Sequence, residues 1–157
     1  MGTKFSTRVW VSVVGIASIF FGSKGYADTV ISVADFGLKP DTRENAVAYV
    51  QKAIDACRGK EPVTLVFPEG RYDFWPQYAH EKNYYETNTY DVFPKRLAML
   101  FEGLHNITVD GNGSQFVMHD RIQPITVENC DGVTLKNFSI DWDIPLTAQA
   151  RVTKVGS

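Results

Sequence analysis

Asn106-Ile107-Thr108-Val109-Asp110-Gly111 returns 26 residues later as Gly132-Val133-Thr134-Leu135-Lys136-Asn137. Pro124-Ile125-Thr126-Val127-Glu128-Asn129 lies between the two copies, and Phe138-Ser139-Ile140-Asp141 follows the second. These segments read as short strands of three to five residues, each ended by Gly, Asn or Asp. Short strands in register, at a period of twenty-odd residues, are what a parallel β-helix requires. Gly and Asn turn the corners because they accept unusual backbone angles, while apolar side chains stack inward on the next coil. With only two copies, an ordinary β-sandwich with coincidental similarity is the alternative.

Upstream, Thr29 to Phe36 alternates as a strand and Gly37 ends it. Asp41-Thr42-Arg43-Glu44 has the capping-box form of a helix start. Ala46, Val47, Val50, Ala53, Ile54 and Cys57 then recur at three- and four-residue spacing, one apolar helix face, with Gly59 as its stop. Val63 to Phe67 follows as a buried strand closed by Pro68-Glu69-Gly70. Residues 72 to 93 differ: Tyr72, Phe74, Trp75, Tyr78, Tyr84, Tyr85, Tyr90 and Phe93 sit among amide and charged side chains with no clean period. Such a mixture suits sugar binding, since a pyranose has an apolar face ringed by hydroxyls. It suits equally a long loop that seals the end of a core with its rings.

The first 27 residues stand apart. Lys4 and Arg8 precede the apolar run Val9 to Phe21, and small residues lead to Gly25-Tyr26-Ala27. That is the order of a secretory signal cleaved after Ala27, and the run is too short to span a bilayer. The expected location is therefore secreted or periplasmic, with no membrane attachment once the signal is removed. There Cys57 and Cys130 either pair or serve as small apolar residues.

The 157 residues carry a formal net charge of -2, with 44% hydrophobic and 22% charged residues. This is globular composition, and its charge offers no broad electrostatic grip on nucleic acid. Without Lys4, Arg8 and Lys24 the balance is 13 basic against 18 acidic residues, which argues mildly against a polyanionic pectic substrate.

Ile31 to Gly37, the helix with Ala53-Ile54-Asp55-Ala56, and Leu65 to Tyr72 together resemble the N-terminal cap of pectate-lyase-like β-helix enzymes. A narrower likeness runs through Leu104 to Ser114, Pro124 to Asn129, Val133 to Trp142 and Ile144 to Val152, sharpest at Asn137-Phe138-Ser139-Ile140-Asp141-Trp142. It resembles the start of the bacterial α-1,3-galactosidases of glycoside hydrolase family 110. The resemblance implies a mostly β protein with a right-handed parallel β-helix. It divides the chain into a signal peptide (1–27), an N-terminal cap (28–73), an aromatic-rich loop or insertion (74–103) and the first coils (104–157). It also implies an exo-acting, inverting hydrolase, without cofactor, that removes terminal α-1,3-linked galactose from an oligosaccharide or glycoprotein glycan of the blood-group-B or linear type. Rivals on the same fold are a polygalacturonase or pectate-lyase-like enzyme and a secreted glycan-binding adhesin.

Residues 107 to 157 make about two coils at the 26-residue period, whereas repeat folds want three or more units with capped ends. Arg151 to Ser157 reads as a strand-like run without a cap. The expectation is an N-terminal fragment, inactive alone, with its catalytic carboxylates beyond Ser157; no residue is assigned as catalytic. Asp141-Trp142-Asp143 places two carboxylates on one side of a strand and a ring on the other. These three are the substrate-binding candidates, the alternative being a turn before Pro145 in which Asp caps backbone groups. Asp110 reads as a corner residue. His80, His105 and His119 share no ligand spacing, so no metal site is assigned.

Overall fold

The computed structural model describes residues 29–84, 94–147 and 150–154. The signal segment and the aromatics Tyr85, Tyr90 and Phe93 lie outside those residues. In chain order the elements are β1 (Thr29–Ser32), a 3-10 turn (Val33–Phe36), α1 (Val47–Ala56), β2 (Val63–Val66), β3 (Arg71–Phe74), β4 (His80–Lys82), β5 (Lys95–Glu102), β6 (His105–Met118), β7 (Gln123–Glu128) and β8 (Asp131–Trp142). The protein is mostly β, and nearly all of its strand pairing is parallel.

Two sequence expectations shift at the start of the chain. The strand read over Thr29 to Phe36 stops at Ser32, because Ser32 and Asp35 form a capping box around the 3-10 turn and Gly37 closes it at φ 92°. The box read at Asp41 to Glu44 starts no helix: Asp41 and Arg43 both sit at φ 63°, a left-handed conformation foreign to a helix. Helix α1 begins at Val47 instead, where the Asn45 side-chain oxygen accepts the Val47 N–H at 3.2 Å. Its apolar face is as the spacing foretold, with Ala46, Val47, Val50, Ala53, Ile54 and Cys57 all buried.

The 26-residue recurrence is structural. Ile107 pairs with Val133 and Val109 with Leu135 between β6 and β8, and Met99 pairs with Ile125 and Phe101 with Val127 between β5 and β7. Through these stretches successive passes of the chain therefore lie side by side, each position on the one 26 residues later. Strands β6 and β8 run longer than the three to five residues expected, because each joins two short segments through a register shift between Asp110 and Ser114. Before the shift β6 pairs with β2; after it, with β3. At the shift Gly111 is held against the next pass, where an added Cβ would lie 2.7 Å from the Asn137 carbonyl oxygen. Asp110 is a corner residue: its carboxylate accepts from Asn112 N–H and the Asn137 amide, each at 3.0 Å. Lys95–Glu102, inside the stretch read as an aromatic-rich loop, is a core strand with Leu97 to Phe101 buried. The run read at Arg151 is not strand over residues 151–154, which are exposed.

Inside, Phe116 is the centre of an aromatic cluster, stacked on Phe138 at 4.8 Å and touching Phe67, Tyr72 and Phe74. Burial pushes the Tyr72 hydroxyl up to about 12 and the Cys57 thiol up to about 11. Both cysteines are free; the Cys130 thiol faces the carbonyls of Phe101 and Glu128.

The N-terminal segment closes strand edges with side chains. The buried Gln51 amide donates to the Leu100 carbonyl and accepts the Leu100 N–H, both at 3.3 Å, as a neighbouring strand would. Arg58, just past the end of α1, donates to the Glu102 carbonyl two residues further along β5. Asp41 does the same for β3, its carboxylate accepting the Arg71 N–H at 2.9 Å while its own N–H meets the Arg71 carbonyl.

Replacing Gln51 by Leu keeps the volume and leaves both Leu100 groups unpaired in the core. Gln51→Leu should lower stability by about 1–3 kcal/mol, read as a lower urea midpoint at unchanged slope. An unchanged midpoint would mean that the amide does not close this edge.

Candidate functional site

Strand β3 alternates. Tyr72 and Phe74 point into the core, while Arg71, Asp73 and Trp75 share the other side. The second half of β6 lies beside it, with Phe116 and Met118 buried and His119 following on the opposite side to Met118. Strand β8 comes next, with Val117 paired to Asp141 and Met118 to Trp142. The Asp143 N–H then reaches the Met118 carbonyl at 3.0 Å. Three neighbouring strands thus bring Arg71, Asp73, Trp75, His119 and Asp143 onto one face.

These side chains are joined. The fully buried Asp73 carboxylate accepts from Arg71 Nη2 at 2.6 Å and from Arg71 Nε at 2.9 Å. It also meets His119 Nε2 at 2.8 Å. Arg71 Nη2 continues to Asp143 Oδ1 at 3.1 Å, and His119 Nδ1 stands 3.9 Å from Asp143 Oδ2. Arg43 approaches Asp143 from outside at 3.9 Å. The His119 ring lies flat on Trp75, centroids 3.8 Å apart and planes at 4°. Burial pushes the Asp73 carboxyl up, but the hydrogen bonds from Arg71 and His119 outweigh it and hold the group below its ordinary value. Asp73 in turn holds the Arg71 guanidinium above its own.

Of the three candidates read from sequence, Asp143 joins this network and Asp141 stands on the same side, exposed, its carboxylate accepting the Trp142 N–H at 2.8 Å. Trp142 is not brought to this face: it packs against the core, and its indole N–H donates to the Asp120 carbonyl. Arg71, Asp73 and His119 were missed by sequence reasoning. The alternation Arg71-x-Asp73-x-Trp75 was the available signal, but its partners lie 46 and 72 residues away. Among the aromatic-rich residues, Tyr72 and Phe74 are core, Trp75 belongs to the network, and Tyr78 is 80% exposed.

A second polar group lies on the β5–β7 sheet. Glu102 and Glu128 are register neighbours, and Lys82 Nζ bridges them at 2.7 Å to each. The Tyr84 hydroxyl donates to Glu128. Lys82 and then Tyr84 hold the Glu128 carboxyl below its ordinary value. Both of these carboxylates are occupied within the protein.

On the β3–β6–β8 face, the half-exposed Asp143 accepts hydrogen bonds and Arg43 and Arg71 donate them, beside the stacked Trp75 and His119 rings. That set matches a hydroxyl-rich ligand.

No protein-family model matches the chain. Over 128 residues it is 64% identical to alpha-1,3-galactosidase B of Bacteroides thetaiotaomicron, a match covering 82% of this chain and 21% of that protein. It is 40% identical over 125 residues to alpha-1,3-galactosidase A of Shewanella woodyi, covering 80% and 20%. It is 37% identical over 152 residues to an alpha-1,3-galactosidase B of Phocaeicola vulgatus, covering 94% and 24%. The chain thus has curated homologues named alpha-1,3-galactosidase and spans between a fifth and a quarter of their length.

The lowered Asp73 value sets a sign. A carboxylate whose folded pKa lies below its unfolded value of 3.8 contributes its full stabilisation above that value and loses it as pH falls through the folded one. Asp73→Asn should cost about 3 kcal/mol at neutral pH, as expected for breaking a buried pair. The difference from the unaltered chain should shrink below about pH 4. Urea unfolding of both chains at several pH values checks this; a gap that widens in acid would contradict the assignment.

Proposed function

We propose that this chain is the capped beginning of a secreted, exo-acting α-1,3-galactosidase built as a right-handed parallel β-helix. The observation that carries the reading is the 64% identity over 128 residues to a protein of that name. The parallel ladders at a 26-residue offset support the fold. Among the described residues, β7 and β8 pair on one side only, and their free sides are where a further coil would add.

In this reading the substrate is a terminal non-reducing α-1,3-linked galactose on an oligosaccharide or glycoprotein glycan, of the blood-group-B or linear type, removed with inversion. The signal of residues 1–27 exports the protein and is cleaved after Ala27. Inversion needs an acid to protonate the leaving oxygen and a base to activate water, the carboxyls about 6.5–9.5 Å apart. Asp73 suits neither role: its lowered pKa leaves it no proton to give at neutral pH, and both of its oxygens are engaged. Glu128 likewise has no proton to give at neutral pH, and its Oε2 is held by both Lys82 and Tyr84. The acid and base belong to sequence outside this chain, in the part of the relatives' length that it does not span. Asp143 and Asp141, presented on the outward face, supply hydrogen bonds to galactose hydroxyls.

The test compares residues 28–157 with a chimera in which they replace the matching fifth of the Bacteroides thetaiotaomicron protein. The assay is galactose release from an α-1,3-galactosyl disaccharide. Release by the chimera alone is expected, with Asp143→Ala in the chimera lowering kcat/KM by about tenfold, the worth of one hydrogen bond to a charged group. Release by residues 28–157 alone would show that the acid and base lie within this chain. No release by either would turn the reading toward a pectin-active enzyme or a glycan-binding adhesin.

A further inference from the structure

We propose that a groove on the outer side of α1 is an accessory binding site for a neutral pyranoside. Its volume is about 390 Å³, and Glu44, Asn45, Ala48, Tyr49, Lys52 and Tyr78 line it. Sites for small ligands start at about 300 Å³, so one sugar ring and part of a second fit. Ala48, Tyr49 and Lys52 lie on α1 away from the buried Val47, Val50, Ala53 and Ile54. Tyr49 packs partly against the core, while Lys52 and Tyr78 do not, so the groove rests on the core without being part of it.

The Tyr78 ring is 80% exposed, yet its backbone sits at φ 67°. A bulky residue there is an outlier, and such strain persists only where neighbouring structure enforces it. The enforcing residue is Asn45, itself part of the groove. Its amide donates to the Gln77 carbonyl at 2.8 Å and the Trp75 carbonyl at 3.4 Å, and its oxygen accepts the Trp75 N–H at 3.2 Å. The fold thus holds the backbone that presents Tyr78 at the groove, although its ring buries almost nothing of its own. Tyr49 is held by its packing against the core.

A pyranose laid on the Tyr78 ring covers its apolar face and turns its hydroxyls toward the groove wall. Glu44 accepts hydrogen bonds, Lys52 donates them, and the tyrosine hydroxyls do both. One negative and one positive side chain leave no net charge, which favours a neutral sugar over a uronate. The pyranoside class stands on these residues alone. Its identity as a galactoside of the enzyme's own glycan rests on the α-1,3-galactosidase reading.

The test titrates the 157-residue chain with an α-1,3-galactosyl-galactose disaccharide, and separately with lactose and cellobiose, by NMR. Shifts centred on Tyr49, Lys52 and Tyr78 are expected. Tyr78→Asn should weaken binding by about tenfold without lowering the unfolding midpoint, since Asn tolerates the left-handed backbone. A merely structural Tyr78 would instead lower that midpoint and leave binding unchanged, which overturns the proposal. Shifts confined to Trp75, His119 and Asp143 overturn it while leaving the galactosidase reading intact. Equal binding of all three saccharides, lost in Tyr78→Asn, supports the groove whether or not galactose release is found. No binding of any of them at millimolar concentration overturns it.

Discussion

A stack of parallel strands has an edge, and every N–H and C=O along that edge needs a partner. Most of the structure follows from how this chain meets that requirement at its first pass. Strand β4 covers β5 only over Lys95 to Leu97, and the rest of that side faces α1. A helix offers no free backbone groups along its length, so the closure falls to side chains that imitate a strand. Gln51 is suited to this because its amide carries a donor and an acceptor on one planar group, and it meets both Leu100 groups at once. Asn45 does the same at the end of β3, meeting Trp75 and Gln77. With Asp41 and Arg58, these residues make the segment before β2 a closure and not merely an extra layer.

The same closure prepares the polar face. Ala46 N–H binds the Asp73 carbonyl, Asn45 fixes the backbone of Trp75, and Asp41 fixes that of Arg71. The three outward residues of β3 are thus held at the main chain before their side chains meet anything. Burying the Asp73 charge carries a penalty unless it is paired and hydrogen-bonded. Arg71 and His119 meet that condition and tie β3 to β6, while Arg71 reaches on to Asp143 beyond β8. The cost of the buried charge is therefore offset by contacts that lock three passes of the chain together. Asp143 stays half-exposed at the rim of that network.

The parts legible in the sequence were those governed by local periodicity. The apolar face of α1, the apolar run from Val63 and the match of Ile107-Thr108-Val109 to Val133-Thr134-Leu135 each show within a few residues or at one fixed offset. The helix start was misplaced because a capping-box pattern records only a donor and acceptor at suitable spacing. Asp41 found a stronger demand 30 residues away at Arg71. Strand β5 was hidden behind neighbouring aromatic residues, although Leu97 to Phe101 reads as a buried run on its own. The Arg71–Asp73–His119–Asp143 network was out of reach: each bond spans strands, and no spacing within one strand encodes it. His119 looked solitary because its partners belong to β3 and to the residue after β8.

The far side of the stack shows the logic of this closure in reverse. Strands β7 and β8 carry inward-facing side chains like those of β5 and β6, yet Val127, Leu135 and Ile140 remain 38–46% exposed. Their counterparts one pass earlier, Phe101, Val109 and Phe116, are essentially buried. The residue types and register are alike, so the difference comes from the absence of a covering layer among the described residues and not from the side chains. Covering an apolar side chain fully is worth about 1.5–3 kcal/mol relative to full exposure, so three residues exposed by nearly half leave a few kcal/mol unrealised. On the α1 side the corresponding gain is realised through a helix whose polar side chains also satisfy the strand edge. At β7 and β8 the same chemistry calls for a covering element that pairs with backbone and buries apolar side chains at once. A parallel pass in the 26-residue register meets both demands; a helix lacking residues placed like Gln51 and Asn45 meets only the second.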